Sequence, residues 1–150
     1  MSFVAILMGS ESDQEVMKRA SDVLDEFGVD SESNVISAHR KPRALVAYIE
    51  DAESRGVAAF ICGAGMAAAL PGVVAAHTTR PVIGVPIESG SLRGMDALLA
   101  IAQMPPNVPV ACVAVNGARN AGLLAVQIMA LADDVLAKRF AEFKSKLAEG

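Results

Sequence analysis

The stretch FVAILMGSESDQEV, residues 3–16, decides the fold. Phe3 to Met8 is an unbroken apolar run with no polar side, the pattern of a strand covered on both faces. Gly9 and Ser10 end the run, and Ser12 with Glu15 has the spacing of a capping box. Val16, Ala20, Val23, Leu24 and Phe27 then recur at helical spacing, and Gly28 supplies a stop. A doubly buried strand that turns directly into an amphipathic helix opens a β-α-β unit.

The alternation continues along the chain. A second strand is expected over 32–37, after which Pro42 suits the first position of a helix carrying Leu45, Val46, Ile49 and Ala52 up to Gly56. A third strand, 57–62, ends at Gly63-Ala64-Gly65, and a short helical piece surrounds Pro71. A fourth strand covers 82–85, and the loop Glu88 to Ser91 leads to a helix near 94–103. The turn MPPNVP brings the chain to a fifth strand, 110–115, followed by a helix over 118–131. The tail 133–147 reads as an amphipathic helix through Val135, Leu136, Phe140, Phe143 and Leu147, packed on the body or on a neighbouring subunit. Five strand–helix units joined by short right-handed crossovers predict an α/β, flavodoxin-like three-layer sandwich. Its five-stranded parallel sheet is expected in the order 2-1-3-4-5, as one domain spanning 1–150.

Composition removes several function classes. A net charge of −4 and a pI near 5.1 leave no basic footprint for nucleic acid. Residues 57–79 and 97–118 carry no Asp, Glu, Lys or Arg and are long enough to span a bilayer. Gly63, Gly65, Pro71 and Gly72 break the first, and Pro105, Pro106 and Pro109 the second, so neither reads as a membrane helix. The start MSFVAILMGS has no basic region or cleavage site, which points to a cytoplasmic protein. Cys62 and Cys112 lie in apolar runs and read as free thiols of a reducing compartment.

In a doubly wound sheet, ligands bind outside the carboxyl ends of the strands. The loops there are Gly9-Ser10-Glu11, Ser37 to Lys41, Gly63-Ala64-Gly65, Glu88 to Ser91 and Asn116-Gly117, so the polar clusters converge on one rim. Backbone amides at Gly9-Ser10 favour an anion such as phosphate. Ser10 and Ser12 also suit capping, and Asp13 suits either the helix dipole or sugar hydroxyls. Residues 63–68 match a loose dinucleotide fingerprint, but close helix–strand packing or a backbone floor for a flat ligand fits them as well. His39 is either a solvated loop residue or a general acid and base, and Arg40 beside it offers a fork for phosphate or carboxylate. His77 reads as a helix-end or surface histidine. No spacing suggests a metal set or a Ser–His–Asp triad.

Four motifs, ILMGSESD, SAHRKP, GAGMAAALPGVVAAHTTRPVIGVP and QMPPNVPVACVAVNGARNAGLLA, together resemble the N5-carboxyaminoimidazole ribonucleotide mutases, the PurE family of purine biosynthesis. The similarity runs from residue 4 to 131, with the elements in the family's order. The resemblance implies a homo-octamer with active sites near subunit contacts, a small ribonucleotide substrate, and neither metal nor organic cofactor. It also implies carboxylate transfer from the exocyclic nitrogen of an aminoimidazole to ring carbon C4, with His39 as the proton shuttle. Ser10, Asp13 and Arg40 would bind the ribonucleotide, with Ser12 and Ser37 in support, and Gly63, Ala64, Gly65 and Leu70 would form the small-residue pocket. Where many members read Gly-Ala-Ala-His-Leu-Pro-Gly, this chain has Met66 for the first glycine and Ala69 for the histidine. The related direct carboxylases tend to carry Lys after the loop histidine, so Arg40 favours the mutase class. The competing readings are such a carboxylase and a non-catalytic nucleotide-binding module built on the 63–68 turn.

Overall fold

Along β1 (Phe3–Met8) the apolar side chains alternate between two separate cores. Val4, Ile6 and Met8 enter one core with Val23, Leu24 and Ala121, whereas Phe3, Ala5 and Leu7 enter the other with Leu45, Ile49 and Ile101. Two-residue periodicity thus persists inside a run that has no polar face, because helices cover both sides. The computed structural model describes residues 2–150.

The other strands are β2 (Ser31–Val35), β3 (Val57–Gly65), β4 (Val82–Ile87) and β5 (Ala111–Cys112). They form one parallel sheet in the order β2-β1-β3-β4-β5, the expected flavodoxin-like arrangement. Helices α1 (Gln14–Glu26), α5 (Ala118–Ala130) and α6 (Asp134–Glu149) belong to one face. Helices α2 (Pro42–Ser54), α3 (Leu70–His77) and α4 (Met95–Ala102) cover the other. None of the helices among the described residues is long and apolar enough to cross a membrane. Cys62 is buried and Cys112 half-buried, and both thiols are free.

Several boundaries differ from the sequence reading, each for a physical reason. Ser12 does not cap α1. Ser10 takes that role at a short 3-10 turn, Glu11–Asp13, its hydroxyl oxygen accepting from the Ser12 amide at 3.3 Å and lying 3.0 Å from the Ser12 hydroxyl. The expected capping box is therefore absent, and α1 starts at Gln14. β2 is an edge strand, so its sequence SESNV is largely polar, and it ends before Ile36 and Ser37. Strand β3 runs on through Gly63-Ala64-Gly65, which pair with Val85, Pro86 and Ile87. Strand β5 is much shorter than 110–115. The Pro86 carbonyl, on the β5 side, accepts from the Asn116 amide at 2.8 Å, but proline has no N–H to return, and the regular ladder stops.

Pro71 stands in the first turn of α3 rather than interrupting a helix, where its missing N–H leaves no vacancy. Helix α6 packs on the chain's own body. Asp133 caps it by accepting from the Leu136 amide at 3.0 Å, and Phe27, Phe140 and Phe143 meet with ring centroids 5.5–5.7 Å apart. Gly63 has a steric purpose: a Cβ there would collide with the Met17 sulfur of α1. Met17 can seat its side chain against the sheet at that point because the side chain at 63 is missing.

Candidate active site

At the carboxyl rim, the ends of β1, β2 and β3 and the starts of α1, α2 and α3 surround a cleft of about 530 Å³. All three helices begin beside it, so the positive ends of their dipoles face the rim.

The turn after β2 carries Ser37, His39 and Arg40. Ser37 holds it in shape: its hydroxyl oxygen accepts from the Arg40 amide at 3.1 Å and from Arg40 Nε at 3.3 Å. The Ser37 carbonyl accepts from the Lys41 amide at 2.8 Å, and Pro42 then starts α2 with its fixed φ. Arg40 Nη2 donates to the Gly9 carbonyl at 3.3 Å, tying this turn to the loop after β1. Nη1 makes no hydrogen bond among the described residues, which leaves the outer part of the fork available to an anion. His39 is exposed between Ala38 and Arg40 and lines the same cleft.

Facing that turn are Ser10, Ser12 and Asp13. Asp13 is 8 % exposed and is the one buried charged side chain among the described residues. Burial raises its carboxyl above the ordinary aspartate value, and hydrogen bonding to the Ser10 backbone opposes that rise in part. A buried carboxylate held at the edge of a cleft is costly to the fold and useful to a ligand that brings hydroxyl donors.

The third wall comprises Ala64 to Leu70, with Ser89 beside it. Gly65 is required by crowding, because a Cβ there would stand 3.0 Å from the Ser89 Cβ and 3.3 Å from the Ile87 carbonyl oxygen. Nine of the ten residues read from the sequence as site candidates line this one cleft. Gly63 does not: it is buried one residue earlier, against Met17. The ladder through Gly63 to Gly65 also removes the tight glycine turn that a dinucleotide fingerprint requires. His77 ends α3 and is exposed away from the cleft. Ser89 and residues 66–69 line the cleft as well; Met66 and Ala69 stand out in the sequence as departures from the family pattern, whereas Ser89 has only the serine pair after β4 as its signal. No group of three or more His, Cys, Asp or Glu side chains among the described residues is placed to hold a metal ion.

Fold and site define an α/β protein of flavodoxin-like topology whose polar side chains gather at the carboxyl rim of the sheet. Residues 3–150 match the family model described as AIR carboxylase, and the chain belongs to that family. It is 54 % identical over 141 residues to the N5-carboxyaminoimidazole ribonucleotide mutase of Bacillus subtilis, covering 93 % of this chain and 87 % of that one. The mutase of Thermotoga maritima is 48 % identical over 147 residues, covering 98 % of this chain and 86 % of its own. Among solved structures, Treponema denticola PurE superposes with a TM-score of 0.91 at 29 % identity, covering 99 % of this chain and 93 % of that chain.

Proposed function

We propose that this chain is an N5-carboxyaminoimidazole ribonucleotide mutase of purine biosynthesis that works by decarboxylation and recarboxylation, with His39 as its proton shuttle. The observation that carries the reading is the meeting of His39, Arg40, Ser10 and Asp13 in one cleft, each from a different turn or turn position. Arg40, with Nη1 unspent, suits the phosphate, Asp13 suits the ribose hydroxyls, and Ser10, Ser12 and Ser37 support both.

The chemistry follows from these placements. The carbamate N–C bond breaks with its electron pair going to the exocyclic nitrogen, which takes a proton from the His39 imidazolium. The electron-rich ring then attacks the released CO2 through C4, and the neutral imidazole removes the C4 proton to restore aromaticity. One group gives and regains one proton, so the cycle closes on itself. The floor formed by Ala64 and Gly65, beside Leu70, lets the flat ring approach the backbone while CO2 is held next to C4.

A homo-octamer working in the cytoplasm fits the same reading. Leu92, Met95, Leu99 and Leu131 are each more than half exposed, apolar side chains suited to burial between subunits. The deciding experiment is a paired assay on the unmodified protein. Conversion of N5-carboxyaminoimidazole ribonucleotide at low bicarbonate is the expected result. Turnover only of aminoimidazole ribonucleotide with CO2 would make the protein a direct carboxylase, and saturable nucleotide binding without carboxyl transfer would remove the enzyme reading.

A further inference from the structure

The mutase reading places free CO2 between the two halves of the reaction, and this inference rests on it. The cleft wall from Met66 to Ala69 has no hydrogen-bonding side chain with which to hold that molecule. It also has an unusual backbone. Met66 and Ala68 both adopt left-handed conformations, at φ 54° and φ 47°, a region that favours glycine. Gly65 and Ala68 close the turn, the Ala68 amide donating to the Gly65 carbonyl at 2.9 Å. A bulky side chain is therefore kept at a position where glycine would be relaxed, and such strain gathers at working sites.

The Met66 side chain reaches the neighbouring loop. A Cβ built on Gly90 would meet its Cε and Cγ at 3.7 Å and its sulfur at 3.8 Å, so the thioether lies against the loop after β4. That loop contributes Ser89 to the cleft, and Met66 itself lines it while remaining 57 % exposed. The side chain thus bridges the end of β3 and the loop after β4 at the mouth of the cavity.

We propose that Met66 closes the CO2 compartment, its thioether sealing the gap between the 66–69 wall and the 89–90 loop. CO2 released from the carbamate is then captured by C4 rather than lost. Retention here is steric: Ala69 offers no hydrogen bond, and a flexible apolar side chain excludes water while following the shape of the bound ring. The step itself is balanced without an oxidant or reductant, because the N–C electron pair stays on nitrogen, nitrogen gains a proton, and C4 exchanges its proton for the carboxylate carbon. When CO2 escapes, the stranded product is aminoimidazole ribonucleotide.

The test uses N5-carboxyaminoimidazole ribonucleotide with an isotopically labelled carboxylate, in excess unlabelled bicarbonate, with the enzyme-free loss subtracted. Label retained in the product and aminoimidazole ribonucleotide released per turnover are measured for the wild type, Met66→Gly and Met66→Leu. The expected result is high retention in the wild type and in Met66→Leu, and a several-fold greater loss in Met66→Gly. The glycine variant should melt at an equal or higher temperature, since its backbone favours the turn. Unchanged retention in Met66→Gly overturns the inference and leaves the mutase reading standing. Loss of retention together with a smaller particle on size-exclusion chromatography also overturns it, because Met66 would then act through assembly. A wild type that does not convert the substrate overturns the mutase reading and this inference with it.

Discussion

The two ends of the sheet each carry a cleft, and the larger one is not the one lined by the candidate site residues. The cleft where the strands begin measures about 670 Å³, against about 530 Å³ at the carboxyl rim. Phe27, Gly56 and Arg80 mark it as the place where α1, α2 and α3 have ended, so helix carbonyls face inward. A cation meets them there: Arg139 Nη1 donates to the Phe27 carbonyl at 2.8 Å. At the rim the polarity is reversed, because the same three helices begin there. Volume alone would choose the other end. Dipole direction favours the rim for the anionic ribonucleotide of the proposed function.

The sharpest test of this contrast is His39→Asn. It should lower kcat by about a hundredfold to ten-thousandfold while leaving the thermal melt unchanged. Substantial residual turnover would assign the proton to another group and weaken the distinction between the two ends. Arg139→Ala probes the other end. It should lower stability by about 1 kcal/mol in urea melts, with kcat/KM unchanged; a fall in kcat/KM would mean that the ends are coupled.

Asp13→Asn should give the smallest effect on the fold, and one of opposite sign. The folded state raises this carboxyl above its ordinary value of 3.8, so it binds its proton more tightly than the unfolded chain does. Stability from this group is full below the unfolded value and declines as pH rises through the folded one. The asparagine variant should therefore be more stable than the wild type at neutral pH, and urea melts between acidic and neutral pH should show a flatter profile. Ribonucleotide binding should weaken at the same time. A variant less stable at neutral pH would mean that the carboxylate is held by contacts that outweigh its burial.

Much of the fold was legible because burial leaves its mark on composition. The run Phe3 to Met8 announced a central strand, and Pro42 marked a helix start within one residue. Glycine and proline hid two of the remaining boundaries. Gly63 and Gly65 read as a loop but belong to a ladder, since a residue without a side chain has no periodicity to display. The fifth strand was overextended because the missing donor belongs to Pro86 on the neighbouring strand, a constraint invisible within 110–115. At the site, His39 and Arg40 could be read from their place on the rim. The meeting of Met66 with the 89–90 loop could not, since it depends on how close two loops come in space.

The seat of Met17 beside Gly63 has a mechanical consequence. Met17 is one helical turn beyond Asp13, and its sulfur rests in the notch that the glycine leaves in the sheet. The notch works as a detent. Helix α1 cannot slide along its axis or roll without lifting the thioether out, so Ser10 to Asp13 are indexed to the sheet before any ligand arrives. A ligand arriving at the rim meets a turn that is already set, and little of its binding free energy is diverted into ordering that turn.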